Sequence, residues 1–275
     1  MIEALDHVVL VTPDIDAGVE AYEGVLGAPP AVRSEADGAA TALFRLANMG
    51  LELMAPSGAG ASAKRLREII DADGAGLKSL VFETSDLEEA RRVLERRGLG
   101  PSDIATGRAG PREWRRLRLD DLASFGVKLF LVQHLSGAPT AVEARPDAVS
   151  ALDHIVINTP NPDRAIALYG GKLGLRLALD RTHEAFGARM MFFRVGGLTL
   201  EIVHRLDAAG HLDDPDTLWG LTWAVADVDA AHARLASAGR DVSEVRSGRK
   251  PGTRVFTLRD GTLGVPTLFL THEAG

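Results

Sequence analysis

Ala4-Leu5-Asp6-His7-Val8-Val9, close to the start of the chain, returns as Ala151-Leu152-Asp153-His154-Ile155-Val156. The echo continues downstream. Thr12-Pro13 recurs as Thr159-Pro160, and Tyr22 and Gly27 stand at the same distances from His7 as Tyr169 and Gly174 from His154. Phe44-Arg45 precedes Glu52, and Phe193-Arg194 precedes Glu201, with one spacing from arginine to glutamate. Chance does not produce identity at so many matched positions, so the chain is a duplication. Between the copies, Ser136-Gly137-Ala138-Pro139 to Arg145-Pro146-Asp147 is small, polar and without an apolar period. It reads as an exposed linker over residues 136–150, separating a domain at 1–135 from one at 151–275.

Each copy carries a fainter repeat of its own. Leu77 to Leu94 gives an apolar strand, then Ser85-Asp86 and a helical run closing near Gly98; Leu221 to Leu235 does the same, opened by Ala226-Asp227 and closed by Gly239. Asp86 and Asp227 are N-cap residues in this reading, because a carboxylate oxygen accepts from free amides of the first turn. Gly27, Gly98, Gly174 and Gly239 sit where a helix ends in a left-handed residue. Leu5 to Val11 is apolar on both faces, as a strand covered on both sides is, and Pro13 breaks it. Val19, Tyr22 and Leu26 lie at helical spacing, as do Ile166, Tyr169 and Leu173. Two or three short strands follow each glycine. The pattern predicts βαβββ four times over, an α+β fold.

Alternation within the last strand of a module separates two kinds of side chain. Leu198, Leu200 and Ile202 point one way and Thr199, Glu201 and Val203 the other. The leucines pack on helices, so the glutamate looks out from the far side of the sheet. His7 and His154 lie inside the first strands, and a sheet-mounted side chain is well fixed, as a coordinating or catalytic group needs to be.

These features resemble the vicinal-oxygen-chelate superfamily, which unites glyoxalases, bleomycin-resistance proteins and extradiol dioxygenases. The carriers of the resemblance are the Leu-Asp-His-Val/Ile strand, the helical tyrosine, the Leu-Gly helix end and the last-strand glutamate. It covers nearly the whole chain, modules one and three matching better than two and four. It implies two tandem glyoxalase-like domains with open β-barrel clefts. It also implies a divalent metal (Zn, Ni, Fe, Mn or Co) held by His7 and Glu52 and by His154 and Glu201, with Glu201 and His154 as the catalytic pair. A metal so placed polarises a carbonyl or an enediolate of a small-molecule substrate.

The departures bear on function. In module two the histidine and glutamate positions fall on Ser79 and Lys128, and in module four on Gly220 and Thr267. None is a good ligand. Pairing module one with two and three with four, or one with four and two with three, leaves one histidine and one glutamate per cleft; only one with three assembles all four. His183, His204, His134 and His272 are further candidates. The plain alternative for each pair is a buried hydrogen bond inherited from a metal-binding ancestor. Three functions therefore stand: a glyoxalase-type lyase or isomerase, a metal-free small-molecule binding protein, and a ring-cleaving dioxygenase.

Other conspicuous residues take structural readings. Arg45 and Arg194 precede the glutamates by an odd step and would face away from them. Tyr22 and Tyr169 belong to apolar helix stripes. Arg112, Arg115, Arg116 and Arg118 around Trp114 read as a solvated strand face. Gly58 to Lys64 lacks the Gly-Lys-Ser/Thr ending of a phosphate loop and reads as a flexible loop, and His232 reads as a surface residue of a helix.

Composition narrows the classes. The chain has 275 residues, 45% hydrophobic and 25% charged, with no cysteine and a net charge of −7. Thiolate metal sites, cysteine nucleophiles and disulfides are excluded. The acidic balance argues against nucleic acid as a partner. No apolar run approaches the roughly 20 residues of a membrane span, and the opening residues lack the signal-peptide pattern. A cytoplasmic protein, monomer or homodimer, is expected.

Overall fold

The structure, a computed structural model, describes residues 1–137, 140, 143–207 and 210–272. Ala138, Pro139, Ala141 and Val142 of the predicted linker lie outside the described residues. Module one is β1 (Ala4–Val11), α1 (Ile15–Leu26), β2 (Val32–Ala36), β3 (Ala39–Arg45) and β4 (Gly50–Pro56). A connecting helix α2 (Ala61–Asp73) leads to module two: β5 (Gly76–Glu83), α3 (Leu87–Arg96), β6 (Ala105–Ala109), β7 (Arg112–Arg118) and β8 (Lys128–Ser136). Module three opens with β9 (Val149–Asn158) and α4 (Pro162–Ala165), continued by a π-helical stretch at Ile166–Lys172, and adds β10 (Arg176–His183), β11 (Ala188–Val195) and β12 (Leu198–Arg205). Module four is β13 (Thr217–Val225), α5 (Val228–Ser237), β14 (Arg246–Ser247), β15 (Thr253–Leu258) and β16 (Thr267–His272). The fold is α+β, with βαβββ repeated four times as the sequence predicts.

The strands form two eight-stranded sheets, ordered β2-β3-β4-β1-β5-β8-β7-β6 and β10-β11-β12-β9-β13-β16-β15-β14. Parallel ladders join first and last strands of a module, as in β12 with β9 and β5 with β8. A parallel pair needs a crossover, which the helix of each module supplies. The chain also separates into two compact units. The first takes Met1–Val8, Lys78–Ala138 and His154–Trp219, and the second takes Val9–Leu77, Pro139–Asp153 and Gly220–Gly275. Module two thus groups with three and module one with four, one of the two pairings that leave the ligand positions divided.

In the first unit the core is built from alternate strand residues under the helices. Leu80 and Phe82 of β5, Leu129 and Leu131 of β8, and Leu198, Leu200 and Ile202 of β12 are all fully buried. Tyr169 is also fully buried, its ring 5.9 Å from that of Phe193. Gly196, at φ 52°, turns β11 into β12, and a Cβ there would stand 2.6 Å from the Ala4 Cα. Backbone conformation and space both require glycine at that turn.

In the second unit Tyr22 is buried and donates to the Thr262 carbonyl at 3.2 Å. The core reading of both tyrosines is correct. Arg234 of α5 donates to the carbonyls of Gly24 and Val25, in the last turn of α1. That turn carries no basic residue of its own, so Arg234 supplies the cation that a helix C-terminus favours.

Helix ends follow the sequence closely. Asp86 accepts from the Glu89 amide and Asp227 from the amides of Asp229 and Ala230. Gly27, Gly98, Gly174 and Gly239 all have φ between 69° and 77°. Two expectations fail. Residues 61–64 of the supposed flexible loop begin α2, which the sequence reading missed. His232 is half-buried, its Nε2 against the Ser243 carbonyl and its ring edge-on to Phe256. Among the described residues no helix is long and apolar enough to cross a membrane.

Candidate functional site

The parallel ladder between β9 and β12 sets Thr199 opposite His154 and Glu201 opposite Val156. Directly paired residues share a face of the sheet, so His154, Val156, Thr199 and Glu201 line the side away from Ile155, Leu198, Leu200 and Ile202, which are fully buried. His154 Nε2 and Glu201 Oε2 are 3.4 Å apart, with side chains 20% and 15% exposed. The pair is held on adjacent strands and reachable by solvent. Two ligands about 2.0–2.2 Å from one ion, at a tetrahedral angle, stand about 3.4 Å apart. The donor set and its spacing fit a divalent cation, and two ligands leave positions open.

His7 sits on β1 and is half-buried, its Nδ1 2.5 Å from Asp6 Oδ2. Its neighbour in the expected ligand set, Glu52, is a half-buried residue of β4 opposite Leu43. His7 falls in the first compact unit and Glu52 in the second, whereas His154 and Glu201 share the first.

Register corrects two assignments. Glu201 lies opposite the residue two beyond His154. The same step from Ser79 reaches Val81, whose partner on β8 is Phe130; from Gly220 it reaches Thr222, whose partner on β16 is Leu268. Phe130 and Leu268 therefore hold the glutamate positions, in place of Lys128 and Thr267. Counting along loops of unequal length cannot fix a strand register; hydrogen bonding does.

Arg194 is a second correction. It lies on β11, directly opposite Thr199 on β12, and donates from Nη1 to Thr199 Oγ1 at 2.7 Å. It therefore shares the face of Glu201. In the same way Arg45 lies opposite Gly50 while Leu43 lies opposite Glu52, so Arg45 shares the face of Glu52. Alternation holds along one strand and does not carry across the turn between two.

The sequence offered His134 only as a further candidate, yet it belongs to a cluster of three possible ligands. Asp6 Oδ1 meets His134 Nε2 at 2.6 Å while its Oδ2 meets His7 Nδ1. Ligand atoms of Asp6, Glu83 and His134 all lie within 4.8 Å of one another, the group of three that the described residues offer. Burial alone would raise the Asp6 pKa, but hydrogen bonds from His134 and His7, and their charge, outweigh it and hold the carboxyl far below the usual aspartate range. The signal in the sequence was Asp6 itself, which recurs as Asp153. The latter meets His272 Nε2 at 3.1 Å. His204 Nδ1 lies against the Thr159 carbonyl, and His183 stacks on Phe186. Of the arginines around Trp114, Arg115 pairs with Glu88 and Arg118 with Asp121; Arg116 is exposed while Arg112, Arg115 and Arg118 are half-buried, so the solvated face holds only in part.

Residues 5–169 match the glyoxalase-like domain family, and residues 151–264 match the glyoxalase/bleomycin resistance protein/dioxygenase superfamily. The chain belongs to the glyoxalase-like family and is a two-domain member of the vicinal-oxygen-chelate superfamily. No curated protein matches it. Among solved structures it resembles a mutant 4-hydroxymandelate synthase from Streptomyces coelicolor, at 14% identity over 100% of this chain and 95% of that one, with TM-score 0.75. A Mn(II)-bound glyoxalase from Novosphingobium aromaticivorans is 16% identical over 98% of this chain and 82% of its own, with TM-score 0.71. A hypothetical protein from Staphylococcus aureus is 11% identical over 98% of this chain and 100% of its own, with TM-score 0.63. At such identities the likeness is one of fold.

Proposed function

We propose that this chain is a metal-dependent enzyme of glyoxalase type, a lyase or isomerase acting on a small oxygenated metabolite. One observation carries the reading: His154 and Glu201 stand 3.4 Å apart on neighbouring strands, on the open face of the sheet. A divalent ion bound there supplies Lewis acidity toward a carbonyl or enediolate. His154 and Glu201 would hold it, and the strands fix both side chains without reorganisation. Glu201 would also be the carboxylate that takes a proton from carbon next to a carbonyl and returns it. Arg194, anchored on Thr199 on the same face, places a cation where an anionic substrate group would be bound. Manganese is the first ion to test, because the glyoxalase of the same fold is Mn(II)-bound.

Metal analysis of protein purified without a histidine tag tests this. Wild type should carry metal that His154→Ala and Glu201→Ala each reduce at least tenfold. Proton exchange on a hydroxy-ketone or hemithioacetal, with Mn, Ni or Zn added, should fall in parallel. Substoichiometric metal unchanged by either substitution would remove the enzyme reading. The second reading, a metal-free binding protein, is favoured by Ser79, Gly220, Phe130 and Leu268 at the remaining ligand positions. Ring-cleaving dioxygenation comes third, since module four has neither histidine nor glutamate at its two positions; oxygen consumption distinguishes it.

A further inference from the structure

We infer that Asp6, Glu83 and His134 form a second divalent-cation site, which uses none of the residues of the His154–Glu201 pair. Two observations carry it. Two carboxylates and an imidazole bring their ligand atoms within 4.8 Å of one another. The side chain of Asp6 is 6% exposed and that of His134 10% exposed, so solvent screens their charge poorly.

The chemistry of the set defines the ion. One nitrogen and two carboxylate oxygens suit Mn²⁺, Fe²⁺ or Zn²⁺; the imidazole makes Mg²⁺ and Ca²⁺ poorer fits, and without sulfur there is nothing to select Cu⁺. One oxygen of Asp6 meets His134 Nε2. Its second oxygen is taken by His7 Nδ1, an outer hydrogen bond of the kind that orients metal-binding groups. The second half of the chain lacks the set. Asp153 and His272 are retained, but the register that places Glu83 opposite Val132 places Ala224 opposite Leu270. The duplication has thus kept the Asp–His pair twice and the third ligand once.

The test is equilibrium dialysis of the untagged full-length chain against MnCl₂ and, separately, ZnCl₂, with bound metal quantified by mass spectrometry. Four proteins are compared: wild type, His154→Ala/Glu201→Ala, Glu83→Gln, and the triple variant. The double variant should retain one equivalent of metal, and adding Glu83→Gln should weaken that binding at least tenfold. Glu83 is half-buried and glutamine has its shape, so Glu83→Gln is expected to fold; circular dichroism checks this. Should the double variant fail to fold, Glu83→Gln in the wild-type background must lose one equivalent. The site is disproved if a folded double variant binds no metal, or if Glu83→Gln leaves binding unchanged. The proposed function fails separately, if the double variant binds as much metal as wild type.

Discussion

Asp6 and His134 in the first half, and Asp153 and His272 in the second, are the same pair in two surroundings. The first meets at 2.6 Å with side chains 6% and 10% exposed; the second meets at 3.1 Å with side chains 28% and 47% exposed. In the first, Asp6 also accepts from His7, and Glu83 stands close by. In the second, Ala224 replaces the glutamate. Duplication copies a contact, but its energetic weight depends on burial, because a charge removed from water depends wholly on its partners. Candidate ligands are therefore gathered differently in the two halves: Asp6, Glu83 and His134 around the first pair, and His154 with Glu201 on neighbouring strands of the other.

The largest test of this contrast is stability. Asp6→Ala leaves two histidines without their common acceptor, one of them only 10% exposed, and should cost about 3 kcal/mol, the usual loss on breaking a buried pair. Asp153→Ala should cost less than about 1 kcal/mol, as exposed pairs do. Urea unfolding of both variants at neutral pH measures the two numbers, and equal losses would erase the distinction between the halves.

A pH series sharpens the same comparison. The folded pKa of Asp6 is depressed, so its contribution is fully present above the unfolded aspartate value, near about 3.9. It is lost as pH falls below that value toward the folded pKa. The gap in unfolding free energy between wild type and Asp6→Asn should therefore narrow as pH falls below about 4. A gap that stayed constant below about pH 4 would mean that the ionised carboxylate is not what His7 and His134 stabilise. The smallest expected effect belongs to Ala224→Glu, which restores the missing third group beside Asp153 and His272. This exposed set should gain a Mn²⁺ site at least tenfold weaker than the Asp6 site, read by the same dialysis; binding of equal strength would show that burial adds nothing to affinity.

Much of the molecule was legible before any coordinates. The twofold echo of Leu-Asp-His, the capping aspartates and the helix-closing glycines gave four βαβββ modules, and each of those features is local, decided within a few residues. The reading erred where a conclusion crossed a turn or a loop. Arg194 shares the face of Glu201 because β11 folds back on β12, and no count along a single strand contains that fold. Phe130 and Leu268 hold the glutamate positions because a hydrogen-bonded ladder fixes register across loops of unequal length. Helix α2 was missed because Gly58 to Ala61 reads as a glycine-rich loop up to the point where the helix begins.

The sequence by itself determined the duplication, the βαβββ order, the buried tyrosines and the strand that carries each histidine. These follow from residue period and from the conformations that glycine, proline and capping aspartate allow. Only the tertiary structure decided which of the candidate ligands meet. Asp6 with His134, and His154 with Glu201, are joined across strands distant in sequence. A buried Asp–His pair and an exposed one are written with the same two residues, and what distinguishes them is the water that the surrounding chain excludes.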